Sequence, residues 1–198
     1  MVNAHDLLWG MTRTHLPADA PGWVVEAISA GHPVVVRRAI VEPGHVAVGV
    51  RGRVREQRFA AVLPIAAVRR RVVPEALCDR VSPRDVPALH ALNQLRPVLA
   101  HATWGVTGSA GFELATGIEA LHAQSDLDLI LRAPEPITRS DAGALLANLD
   151  TAPCAVDLQL QTPFGAVALR EWAGSSRRVL LKTASGAHLV LDPWQAVA

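Results

Sequence analysis

One heptapeptide constrains this chain more than any other: Ser125-Asp126-Leu127-Asp128-Leu129-Ile130-Leu131. Leu127, Leu129 and Leu131 alternate with Asp126, Asp128 and Ile130, which is the period of a β-strand. Residues two apart in a strand share a face, roughly 6–7 Å apart along the backbone. The leucines therefore require a core on one side, and the two carboxylates converge on the other. Taken alone, an Asp-x-Asp pair also fits a strand end that simply faces water.

Two neighbouring segments argue for a site. Upstream, Gly105-Val106-Thr107-Gly108-Ser109-Ala110-Gly111 precedes a segment carrying Phe112, Leu114 and Ala115, which reads as a helix stopping near Gly117. A helix start after a glycine turn offers free backbone N–H groups and a favourable dipole to phosphate. Downstream, Val156-Asp157-Leu158-Gln159-Leu160 places a third carboxylate in an apolar strand. Two carboxylates ~5 Å apart repel by roughly 3 kcal/mol at an effective dielectric near 20. Protonation relieves that repulsion, and so does Mg²⁺ (or Mn²⁺), a hard cation suited to carboxylates and substrate phosphates.

The rest of the chain reads as α+β. Residues 1–80 form a strand-rich N-terminal lobe, with β-branched runs at Trp23-Val24-Val25 and Pro33-Val34-Val35-Val36-Arg37-Arg38 and a further pair near 46–50 and 53–63. Residues 81–198 form the second lobe, a mixed sheet with flanking helices. Its first helix is expected to start at Ser82-Pro83-Arg84-Asp85 and to bury Ala88, Leu89, Leu92, Leu95 and Leu99. A strand is expected over 98–104, a capped helix from Thr138 to about Leu149, a strand over 155–160, and a closing strand pair at 178–183 and 187–191. The donor of any transfer reaction is expected between the lobes.

Composition excludes several classes. With 198 residues, half of them hydrophobic, the chain can bury a substantial core. A net charge of +1 is too balanced for non-specific nucleic-acid binding. The longest apolar run is broken by Pro64, which argues against a membrane span, and the opening residues lack the pattern of a signal peptide. Cys78 and Cys154 make neither a disulfide framework nor a metal set, as expected of a cytoplasmic protein. Arg37, Arg38, Arg51, Arg53, Arg55 and Arg58 crowd the first lobe, either as a basic surface for phosphates or an acidic partner, or as a solvated strand face. Lys182, the only lysine, either points into a phosphate cleft or snorkels from its strand.

Gly-Ser, then Asp-x-Asp on a strand, then a lone carboxylate on the next strand, resembles the DNA-polymerase-beta-like nucleotidyltransferase superfamily. The spacing departs from that pattern, since residues 110–125 separate Ser109 from Asp126 and 117–124 must loop out. One branch is closer. His5-Asp6-Leu7-Leu8-Trp9, Val48-Gly49-Val50-Arg51-Gly52, Gln57-Arg58-Phe59, the run from Trp104 to Gly117, Leu180-Leu181-Lys182-Thr183 and Asp192-Pro193-Trp194 resemble the phosphoribosyl-dephospho-CoA transferases, the malonate decarboxylase holo-acyl-carrier-protein synthases.

The resemblance implies transfer of the prosthetic group from 2'-(5''-triphosphoribosyl)-3'-dephospho-CoA to a serine of the acyl carrier protein subunit, with release of pyrophosphate. It implies Asp126, Asp128 and Asp157 as metal ligands and catalytic groups. Gly108, Ser109, Lys182, Arg37 and Arg38 are expected to bind the donor. Two alternatives stay open: another nucleotidyltransferase acting on a small molecule or protein, and a non-catalytic carrier-binding module with structural carboxylates.

Overall fold

The structure is a computed structural model that describes residues 2–54 and 56–196. The chain divides into two compact units, Met1–Val73 and Pro74–Ala198. The division precedes the sequence-based position near residue 80 because a 3-10 turn, Pro74–Leu77, buries Pro74 and Leu77 within the second unit.

The first unit is an antiparallel sheet of β1 (Leu7–Trp9), β2 (Val34–Val36), β3 (His45–Arg51), β4 (Arg58–Pro64) and β5 (Arg70–Val72), in the order β4-β3-β2-β1-β5. Trp23-Val24-Val25 is not a strand, as the sequence suggested, but the start of helix α1 (Gly22–Ser29). Val24, Ala27 and Ile28 fall at helical spacing and are buried, so packing of that stripe overrides the strand preference of adjacent valines. They join Leu8, Val34, Val48 and Leu63 in a core drawn wholly from this unit.

After that turn, the first α-helix of the second unit is α2 (Pro87–Leu99). It starts later than expected: Pro87, not Pro83, takes the first helical position, and Val86 is the cap. Ala88, Leu89, Leu92, Leu95 and Leu99 are buried as the spacing requires. Because Leu99 continues that stripe, the segment read as a strand over 98–104 yields a strand only at its end, β6 (Trp104–Val106). Then follow α3 (Gly108–Thr116), β7 (Leu127–Arg132), α4 (Arg139–Leu149), β8 (Val156–Gln161), β9 (Ala166–Ala168), α5 (Leu169–Ala173), β10 (Val179–Lys182) and β11 (Ala187–Val190). The sheet runs β11-β10-β9-β8-β7-β6. Among the described residues only β7 and β8 are parallel, and α4 is the crossover that a parallel pair demands. Thr138 caps α4 by accepting the Asp141 N–H at 3.0 Å, as the sequence indicated. Among the described residues, no helix is long and apolar enough to cross a membrane.

Candidate active site

Leu127 and Leu129 on β7 and Leu158 on β8 are buried on one side of the sheet, which turns Asp128 and Asp157 to the other. The parallel register pairs these two aspartates directly, Asp128 with Asp157. Neighbouring strands lie about 4.8 Å apart, so the closest backbone approach among the three acids is across the strands. Asp126, the residue before β7, shares the Asp128 face by alternation. Asp126 and Asp128 are half-buried and Asp157 is exposed. One row deeper the face closes. Ile130 is fully buried, and a side chain at Gly105 would lie 2.4 Å from Pro74. Gln159, in that row, carries a buried Oε1 with no hydrogen-bond partner among the described residues. The acids thus stand at the open end of a sheet face whose interior is shut.

The glycine turn leads α3 onto the same acid. The Thr107 N–H donates to the Asp128 carbonyl at 2.9 Å. Gly108 has φ +60°, and a Cβ there would sit 1.8 Å from Asp128 Oδ2. Asp128 therefore lies over the bare α-carbon of Gly108. Gly111 allows a second close approach, since its Cβ would meet the Val106 carbonyl at 2.7 Å. The Thr107 side chain does not cap α3, whose first turn starts at the edge of the carboxylate face. Gly108 is exposed and Ser109 half-buried. Gly117 ends α3 at φ 74°, and residues 118–124 form neither helix nor strand, which is the loop the spacing required.

The other expected residues belong to other elements. Lys182 pairs with Ala166, Ala166 with Gln161, and Gln161 with Arg132. Lys182 thus shares the Arg132 row, roughly 13 Å along the strands and 14 Å across them from Asp128. The sheet does not bring it to the aspartates. Arg37 and Arg38 belong to the first unit. Arg37 is exposed, its stem against Gly49, and Arg38 Nη1 donates to His5 Nε2 at 2.9 Å. Arg51 and Arg58 are direct cross-strand partners, and Arg55 lies outside the described residues.

Sequence reasoning missed two neighbours of the acids. Arg170 lies in α5, just after β9, where it feels the charge of Asp157. Its Nη2 is 2.5 Å from Asp150 Oδ1. That hydrogen bond outweighs a small desolvation, and with the charges of Asp150 and Asp157 it raises the guanidinium pKa. Cys154 is the other neighbour. Burial first, then the charge of Asp126, raises its thiol pKa, against a weaker bond from Leu127. Neither β9 nor α5 is long enough to show a period in the sequence.

Among the described residues, no group of three His, Cys, Asp or Glu side chains is arranged to hold a metal ion by itself. The donor set here is all oxygen, which suits a hard cation taking one or two carboxylates and completing its shell with phosphate and water.

Comparison with known proteins agrees with this layout. Residues 3–74 match the N-terminal domain, and residues 76–193 the C-terminal domain, of phosphoribosyl-dephospho-CoA transferase MdcG. The chain is 63% identical to a phosphoribosyl-dephospho-CoA transferase of Pseudomonas fluorescens (strain Pf0-1), covering 98% of this chain and 97% of that one. A transferase of the same name from Azotobacter vinelandii is 56% identical, covering 98% and 95%. Its namesake in Pseudomonas aeruginosa PAO1 is 55% identical, covering 96% and 93%. No solved structure matches the chain. On both domains and nearly full-length identity, the chain belongs to the phosphoribosyl-dephospho-CoA transferase family.

Proposed function

We propose that this protein transfers the phosphoribosyl-dephospho-CoA group from 2'-(5''-triphosphoribosyl)-3'-dephospho-CoA to a serine of the acyl carrier protein subunit of malonate decarboxylase, acting in the cytoplasm. The observation that carries the reading is the direct pairing of Asp128 with Asp157 beside the glycine turn that starts α3, in a chain of this family. The serine Oγ attacks the α-phosphorus of the triphosphate. A new P–O bond forms, the bond to the β-phosphate bridging oxygen breaks, and pyrophosphate leaves. Asp157, the most exposed of the three acids, takes the serine proton. The Gly108 and Ser109 amides bind the phosphate chain, which requires positioning and charge neutralisation more than covalent help. Asp126, Asp128 and Asp157 are the residues from which Mg²⁺ or Mn²⁺ would take one or two carboxylates, with phosphate and water completing its shell. Such a cation would neutralise charge developing on the phosphoryl oxygens. Arg37 and Arg38 are further donor contacts in this reading, whereas Lys182 is too remote in the sheet to touch the reacting phosphate.

The test is pyrophosphate release from purified donor and apo-carrier by the full-length protein. Stoichiometric release with a mass increase on the carrier serine is expected. Transfer only from an ordinary nucleoside triphosphate would point to a different nucleotidyltransferase. Carrier binding without any release would leave a non-catalytic module.

A further inference from the structure

Glu113 lies on α3 with 4% of its surface exposed. Its Oε2 accepts three hydrogen bonds, from the Ala120 N–H at 2.8 Å, the Leu121 N–H at 2.9 Å and Arg84 Nη1 at 2.7 Å. Arg84 Nη2 also donates to the Leu121 carbonyl at 3.2 Å and lies 3.7 Å from Glu119. Oε1 is buried with no partner among the described residues. Burial pushes the Glu113 pKa up, but the two backbone N–H groups and Arg84 outweigh it and hold the carboxyl below its ordinary range. A charge kept ionised in this setting is costly unless it is paired and hydrogen-bonded.

What the carboxylate grips is the loop that the spacing between Ser109 and Asp126 required. Backbone groups there have no ladder to join, and Glu113 supplies acceptors in its place. From Leu121, which is buried, the chain makes one more tied turn. The His122 N–H donates to Ser125 Oγ at 3.0 Å, and the Ser125 N–H to the His122 carbonyl at 3.0 Å. Ser125 is itself buried, and the next residue is Asp126. Asp126 precedes β7, and the ladder to β8 begins only with the Leu127 N–H on the Ala155 carbonyl. Its place is therefore set from the loop side. From these contacts we infer that Glu113, braced by Arg84, is a positioning residue that fixes Asp126 against Asp128. This rests on the proposed transferase reading and adds to it the device that aligns the acids.

A double-mutant cycle on the full-length protein tests the inference. Glu113→Gln keeps shape and one acceptor but turns the second oxygen into a donor. Single-turnover transfer at saturating donor is expected to fall about tenfold or more, with Mn²⁺ affinity, measured by electron paramagnetic resonance, weakening in parallel. In an Asp126→Asn background the same change is expected to alter rate and Mn²⁺ affinity less than about twofold, because the residue being positioned no longer serves. Additive losses in both backgrounds, or near-wild-type behaviour of Glu113→Gln while Asp126→Asn is inactive, would overturn the positioning role alone. Wild-type turnover by Asp126→Asn would overturn both this role and the carboxylate assignment. If Glu113→Gln does not fold, Arg84→Gln takes its place in the cycle with the same expected and contrary results, since it removes one of the three donors and leaves the loop's backbone bonds.

Discussion

A methyl group on Gly108 would meet Asp128 Oδ2 at 1.8 Å, on a backbone with φ +60°. Left-handed geometry costs a non-glycine residue roughly 1–2 kcal/mol, and the clash forces the carboxylate aside as well. Gly108→Ala is thus expected to act on Asp128 as much as on the donor. It should lower transfer about a hundredfold, close to Asp128→Asn, and lower the melting temperature by about 2–8 °C. Single-turnover rates and a thermal melt check both, and a near-wild-type rate would count against the geometry. Cys78 offers a pH test. Burial, then Asp79 and Glu75, pushes its thiol from 9.0 up to about 11. Alkylation at pH 8 should accordingly run at roughly one-hundredth the rate of an ordinary thiol, read by mass spectrometry. The folded value lies above the unfolded one. The stability it contributes is therefore whole below pH 9 and lost as pH rises toward 11. At this scale the sequence marked Asp126, Asp128, Asp157 and the glycine turn, because residue type and alternation carry that information. It did not mark Glu113 or Arg170 as neighbours of the site, whose importance lies in what they touch far along the chain.

At the scale of elements, β7 and β8 bring Asp128 and Asp157 side by side through their register. Asp157→Asn should depress the single-turnover rate about a hundredfold while donor affinity changes little, since Gly108 and Ser109 grip the phosphates in the proposed mechanism. Equilibrium donor binding beside the single-turnover rate decides this, and an unchanged rate would remove Asp157 from the chemistry. The exposed Arg170–Asp150 pair joining α5 to α4 is a different case. Asp150→Asn should change stability by less than about 1 kcal/mol in a denaturant titration, because solvent screens such pairs. β7, α4, β8 and the closing hairpin were legible from alternation, a cap and a Ser-Gly turn. The errors share one cause. α1 and the start of α2 were settled by which stripe could be buried, and burial is a property of partners absent from the local pattern. The Asp128–Asp157 register is likewise a long-range fact, which no window on either strand contains.

Across the whole molecule, two units carry separate sheets, and the first has a core of its own. Leu8 is fully buried in it, so Leu8→Ala should cost about 2–5 kcal/mol. Amide exchange in β1–β4 should accelerate accordingly, with the amides of β6–β11 less affected. The α+β class and the strand-rich first lobe were readable from alternation and turn punctuation. The single parallel pair has a consequence for how the protein comes into being. Asp128 and Asp157 are neighbours only after α4 has crossed over and β8 has docked. A ribosome-bound chain ending before Asp157 holds one acid of the pair and no partner for it. Synthesis and docking of the crossover thus act as an assembly checkpoint: a half-made chain carries the motif without the strand that completes the pair.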